Sequence, residues 1–192
     1  IKWDGYRTLA FINKGSADLM SRNGHSFNTK FYTIHEAVSS WKINAVIDGE
    51  IVAIDEKKLP NFNKLQNWKS VDQATLVFYL FDILWIEGYD VTSLPLSERK
   101  MILNTIKPDI ENIKLGMTVK GSGTDFFDAV KKLGMEGLIA KRSSSLYYPG
   151  ERSKDWLKIK GQKRQEVIII GYTKTQGSPK AFSSLILGVN VK

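Results

Sequence analysis

Cysteine is absent from the 192 residues, which excludes disulfides and thiolate zinc sites and suits a reducing compartment. Histidine is scarce: only His25 and His35 occur, too few for a histidine-rich metal site or for most histidine-based acid–base chemistry. No apolar run approaches the roughly 18 residues of a transmembrane helix. Neither Gly-x-x-x-x-Gly-Lys-Ser/Thr nor Gly-x-Gly-x-x-Gly occurs, so P-loop and Rossmann nucleotide binding do not apply. Ile1-Lys2-Trp3-Asp4-Gly5 has neither a starting methionine nor the apolar stretch of a signal peptide, and Leu185 to Lys192 ends inside a strand-like run. Both ends read as cuts through a longer protein. What is left for catalysis is lysine, arginine and carboxylates.

The residues that are present describe an ordinary folded chain, 42% hydrophobic and 25% charged. Lys and Arg number 28 against 20 Asp and Glu, a net charge of +8 that favours polyanions such as nucleic acid, nucleotides or an anionic membrane surface. The excess is not spread evenly. Between Lys141 and Arg164, eight cations face only Glu151 and Asp155, which marks this stretch as a binding face.

Periodicity predicts mixed α and β structure, mostly antiparallel. Strands are expected over Tyr6 to Ile12 and Ala17 to Ser21, joined by a turn at Asn13 to Ser16. Further strands are expected over Asn44 to Asp55, interrupted by Asp48-Gly49-Glu50, and over Thr75 to Leu84, too apolar for an edge. Short strands follow at Gly137 to Lys141 and Trp156 to Lys160. Helical spacing runs over Lys30 to Trp41, Asn61 to Lys69, Ser97 to Ile106 with Ser97 as cap, and Asp125 to Leu133. From Gln165 the texture becomes β-only, and a domain boundary is expected near Gly161 to Arg164.

Several segments could carry chemistry. Lys2 lies before an Asp4-Gly5 turn and Arg7, a second cation that would help an amine lose its proton, although Lys-x-Asp-Gly alone is more often a surface turn. Asp48 and Glu50 interrupt an apolar strand, where carboxylates must be paired, hydrogen-bonded or metal-bound. Glu136-Gly137-Leu138-Ile139-Ala140-Lys141 repeats that grammar, and two such acids converging would suit Mg²⁺. Phe78 reads as core, whereas Phe81, beside Asp82, reads as a platform for a base. Arg22-Asn23-Gly24 puts a guanidinium at a turn. In Trp156-Leu157-Lys158-Ile159-Lys160 the two lysines share a strand face and, with Arg152 and Lys154 upstream, favour phosphate.

Taken in order, Lys2-Trp3-Asp4-Gly5, Ser21-Arg22-Asn23-Gly24, Asp48-Gly49-Glu50, Phe81-Asp82, Glu136 to Lys141 and Trp156 to Lys160 resemble the nucleotidyltransferase motifs of ATP-dependent DNA ligases. The texture is most similar to the ligase domain of bacterial DNA ligase D. The resemblance implies an α+β fold of mostly antiparallel sheets with flanking helices, an ATP-grasp-like nucleotidyltransferase core. It implies an adenylation domain over residues 1–162, lacking its first strand, and over 163–192 the beginning of an OB-fold barrel whose distal strands and last motif are missing.

The same resemblance implies roles. Lys2 is the nucleophile that takes AMP from ATP. Phe81 stacks on adenine, Arg7 and Arg22 contact ribose or phosphate, and Glu50 and Glu136 place Mg²⁺ or Mn²⁺, with Glu50 also reaching the ribose. Lys158 and Lys160 hold the α-phosphate, with Lys141 and Arg152 near phosphate or the DNA backbone. Expected partners are nicked or broken double-stranded DNA and fused or associated end-joining modules, in the cytoplasm of a bacterium. An RNA ligase, an mRNA-capping guanylyltransferase or a non-catalytic nucleic-acid-binding module are the alternatives.

Overall fold

The computed structural model describes residues 1–70, 74–121, 123–151, 153–161, 165–177 and 179–190. The chain divides into two compact units, Ile1–Gly161 and Gln162–Lys192. In the first, β1 (Tyr6–Asn13) and β2 (Ser16–Ser21) form a hairpin, and β3 (Asn44–Ile54) and β4 (Thr75–Ile86) continue the sheet. Its order is β2-β1-β3-β4-β5, where β5 is the short Tyr89–Asp90. All these neighbours are antiparallel; β6 (Ile113–Leu115) adds the parallel pairing, against Phe78 to Leu80 of β4.

Strand period two divides this sheet into two chemical faces. Ala10 and Ile12 of β1, Ile47, Ile51 and Ala53 of β3, and Leu76, Phe78 and Leu80 of β4 point into one buried cluster. Helix α1 (Tyr32–Ser39) covers that cluster with Ile34 and Val38, both fully buried, and Phe31 just before it is buried too. Phe78 has no exposed surface, a burial that contributes about 2–3 kcal/mol. The opposite face carries Arg7, Asp48, Glu50, Tyr79 and Phe81, and this face holds the chemistry described below.

The expected helices are present as α1, α2 (Phe62–Gln66), α3 (Leu96–Ile106) and α4 (Gly123–Lys132). Two local expectations are corrected. Pro95, not Ser97, is the cap of α3 and makes no side-chain cap bond; the fixed proline φ starts the helix one residue earlier. Strand β3 is not broken at Asp48-Gly49-Glu50, because the irregularity is a shift in its pairing with β4 between Asp48 and Gly49. The strands β7 (Gly137–Lys141) and β8 (Trp156–Lys160) form an antiparallel ribbon, with Ile139 opposite Lys158 and Lys141 opposite Trp156.

In the second unit, β9 (Ile168–Thr173) pairs antiparallel with β10 (Ser184–Gly188), with a bulge between Ile186 and Leu187. Ile168, Ile170, Tyr172 and Ile186 are exposed there. Among the described residues no helix is long and apolar enough to cross a membrane.

Candidate nucleotidyltransferase site

Three contacts pin the segment before β1. The Lys2 main-chain N–H donates to Gly137 O at 2.8 Å, which ties it to the ribbon. Trp3 stacks on Tyr79 with ring centroids 3.8 Å apart and planes 11° from parallel. Gly5 lies so close to β3 that an added Cβ would fall 2.3 Å from Ile51 O, so only glycine lets the chain pass there. The Gly5 backbone N–H in turn donates to Glu50.

The Lys2 Nζ donates to Glu136 Oε2, and Lys160 Nζ lies 3.2 Å from Glu136 Oε1. Partial burial pushes the Glu136 carboxyl up, but the bonds from Lys2 and Lys160 win and hold it below the usual glutamate range. Glu50 goes the other way. Burial pushes it up to about 7, against the opposing charges of Lys2 and Arg7. Lys2 therefore contacts a carboxylate that is held ionised and feels the charge of a second whose burial raises it to about 7.

Asp48 is fully buried and paired from the side by Arg7: Nε donates to Oδ1 at 3.0 Å and Nη2 to Oδ2 at 2.6 Å. That bond to Asp48 holds the guanidinium pKa above its ordinary value against the pull of burial. The sequence expectation of Arg7 as a cation beside Lys2 thus gains a specific partner. Phe81 is half-buried, edge-on to Trp156, with the Lys141 amine 4.4 Å from its ring centroid and the Arg7 guanidinium 5.8 Å away. Lys141 Nζ also sits 3.5 Å over Trp156 and has no hydrogen-bond partner. Burial pushes this amine down to about 7, although Asp82 and Asp48 pull it up.

Lys2, Arg7, Glu50, Phe81, Glu136, Lys141 and Lys160 therefore converge between the sheet and the ribbon. Lys158 is exposed on the same ribbon face. Arg22 stands exposed in the turn after β2 and takes part in none of these contacts. Arg152, Lys163 and Arg164 lie outside the described residues.

Sequence reasoning missed Arg99, which is fully buried and closes side-on over the equally buried Asp82, Nε to Oδ1 at 2.7 Å and Nη2 to Oδ2 at 2.9 Å. It also missed Tyr147, whose hydroxyl donates to Asp48 Oδ2 at 2.9 Å. The available signal was the adjacent tyrosines Tyr147 and Tyr148 in the loop between β7 and β8.

The donor set fits a divalent cation that arrives with phosphates. Among the described residues no cluster of three His, Cys, Asp or Glu exists, so no complete protein cage is built. Mg²⁺ commonly takes one or two carboxylates and completes its shell with phosphate oxygens and water. Glu50 and Glu136, both interacting with Lys2, could supply those two, and the desolvated Glu50 carboxyl is one that a cation would ionise.

Residues 1–160 match the family model described as ATP dependent DNA ligase domain. The chain belongs to the ATP-dependent DNA ligase domain family. It is 34% identical over 193 residues to the multifunctional non-homologous end joining protein LigD of Pseudomonas aeruginosa, covering 98% of this chain and 23% of that protein. Its identity to the LigD protein of Mycolicibacterium smegmatis is 32% over 190 residues, covering 98% of this chain and 24% of that one. Among solved structures it is similar to the mycobacterial DNA ligase D complexed with ATP and MES, with a TM-score of 0.78 and 30% identity over 97% of this chain and 60% of that one. The ligase domain from M. tuberculosis LigD gives a TM-score of 0.76 and 31% identity, covering 100% and 62%. The chain thus spans about a quarter of these LigD relatives and under two thirds of these solved chains, and its α+β fold is theirs.

Proposed function

We propose that this chain is the catalytic core of an ATP-dependent DNA ligase in which Lys2 is the nucleophile. The observation that carries the reading is Lys2 Nζ seated on the Glu136 carboxylate, with Lys160 on the other oxygen of the same group and the Glu50 carboxyl within reach of the Lys2 charge. An ammonium has no lone pair to attack with, so a proton must leave before reaction, and Glu136 Oε2 is the acceptor in contact with it. The freed Nζ then bonds to the α-phosphorus of ATP. The bond from that phosphorus to the bridging oxygen breaks, and pyrophosphate leaves with the electron pair.

Lys158 and Lys160 hold the α-phosphate and offset its growing negative charge, and Lys141 and Arg152 serve phosphate or the DNA backbone. Phe81 stacks on adenine, while Arg7 and Arg22 contact ribose or phosphate. A bound Mg²⁺ or Mn²⁺ supplies charge neutralisation on the phosphates, held by Glu50 and Glu136, and Glu50 also reaches the ribose. AMP passes from Lys2 to the 5′-phosphate at a nick or break in duplex DNA, and the 3′-hydroxyl displaces it to seal the strand. Residues 1–162 are the adenylation domain and residues 163–192 begin an OB-fold domain, in a protein that works with fused or associated end-joining modules.

The test offers the protein radiolabelled ATP or GTP and then chases the labelled chain with nicked duplex DNA or nicked RNA. Label from ATP that moves to the DNA 5′ end is expected. Preference for GTP, or transfer only to RNA, would replace the DNA-ligase reading with a capping or RNA-ligase one. Salt-sensitive DNA binding without label would leave a binding module.

A further inference from the structure

Arg7, Asp48 and Tyr147 form a closed ring of three hydrogen-bonded groups. Besides the two bonds from Arg7 to Asp48, the Tyr147 hydroxyl donates to Asp48 Oδ2 at 2.9 Å and accepts from Arg7 Nη2 at 3.1 Å. Each bond polarises the next, so the ring is stiffer than its members taken singly. Arg7 enters it through Nε and Nη2 only. Its Nη1 edge takes no part, and its side chain keeps 46% of its surface exposed although Asp48 keeps none.

The tyrosine is delivered to that ring by a fastened loop. Its main-chain N–H donates to Thr92 O at 2.9 Å, and its ring meets Trp156 edge-on with centroids 6.1 Å apart. Two residues earlier, Ser145 O accepts from Leu96 N at 2.8 Å and from Arg99 Nη1 at 3.1 Å, and Ser143 O accepts from Ser97 N at 2.9 Å. The loop is thus strapped to the start of α3 at several points. The Arg7 guanidinium lies 5.8 Å from the Phe81 ring and 6.0 Å from the Trp156 ring, so without this strap only the Asp48 pairing would fix it by hydrogen bonds.

We infer that Tyr147 is a positioning residue for the nucleotide: through Asp48 it fixes the Arg7 guanidinium so that its Nη1 edge stays turned out to ribose hydroxyls or phosphate. This rests on the ligase reading of the site. A purely structural role, satisfying the buried Asp48 carboxylate, would cost stability and leave nucleotide recognition unchanged.

Tyr147→Phe separates the two, because it deletes the hydroxyl and keeps the ring on Trp156. The ATP concentration giving half-maximal lysine adenylation should rise about tenfold, the value of one hydrogen bond to a charged group. The maximal rate should stay within about twofold, as expected for lost binding rather than lost chemistry. In an Arg7→Ala background the same change should add nothing further. The Arg7 Nε–H resonance, assigned by its loss in Arg7→Lys, should be sharp in the wild type and broadened in Tyr147→Phe. Should Tyr147→Phe fail to fold, Asp48→Asn must reproduce the same split.

An unchanged half-saturation, an equal tenfold rise without Arg7, or an unaltered Arg7 resonance would overturn the inference. A wild-type chain that neither binds ATP nor takes up label overturns the ligase reading instead, and the Arg7 resonance still judges the Tyr147 bond by itself.

Discussion

The central sheet and the β7–β8 ribbon use the same opposite charges to different ends. In the sheet, Asp48 and Asp82 are wholly buried, and each is closed by an arginine through two parallel bonds. In the ribbon, Glu136 keeps 31% of its side-chain surface open and is shared by Lys2 and Lys160 through one contact each. The Asp82–Arg99 pair has its hydrogen-bonding capacity spent on the fold, since Arg99 Nη1 also donates to Leu94 O and Ser145 O, whereas Arg7 spends only Nε and Nη2 on Asp48. The open carboxylate and its two lysines retain donors and acceptors for a ligand. Burial and bond count, rather than charge alone, therefore separate the ions that hold this molecule from those placed to react.

On that contrast, breaking the Arg99–Asp82 pair should act on folding and breaking the open one on chemistry. Arg99→Leu leaves the buried Asp82 carboxylate without its arginine, and should lower the unfolding free energy by about 3–5 kcal/mol in urea titrations. Replacing both partners by apolar residues of similar size should recover most of that loss. Glu136→Gln should barely move the urea midpoint, because partly exposed ion pairs stabilise little. It should slow lysine adenylation by about 100-fold in single-turnover kinetics, as removal of a proton acceptor at the nucleophile does.

Lys141 sharpens the comparison, since it is a buried cation with no closed partner. Its folded-state value of about 7 lies below the ordinary 10.5, so the folded chain holds this proton more weakly than the unfolded chain. Stability linked to the group is then fully present above the ordinary lysine range and is lost as pH falls through about 7. Lys141→Met should therefore be more stable than the wild type by about 1 kcal/mol near neutral pH, with the gap closing toward pH 10. A gap that widens with rising pH would contradict the burial argument.

Much of this could be read from the residues. Alternation placed β1, β3 and β4 closely, since a half-buried strand writes its two faces into every second position. Asp48 was legible as a carboxylate that had to be paired, but its partner was not, because Arg7 stands 41 positions away and only sheet register brings them together. Tyr89–Asp90 and Ile113–Leu115 are too short to carry a period, and the latter is a strand only through its parallel pairing with β4. Tyr147 was hidden for a similar reason: its partners lie 99 and 140 positions away and its own loop has no repeating pattern. Lys2 and Glu136 could be picked out by motif, whereas their contact across 134 positions belongs to the fold.

An intact-protein mass measurement after incubation with ATP and Mg²⁺, beside Lys2→Ala, tests the nucleophile most directly. A gain of one adenylyl group in the wild type, absent from the variant and removed by acid as a phosphoramidate should be, is the predicted result. An equal gain in Lys2→Ala, or none in a wild-type chain that binds ATP, would contradict it.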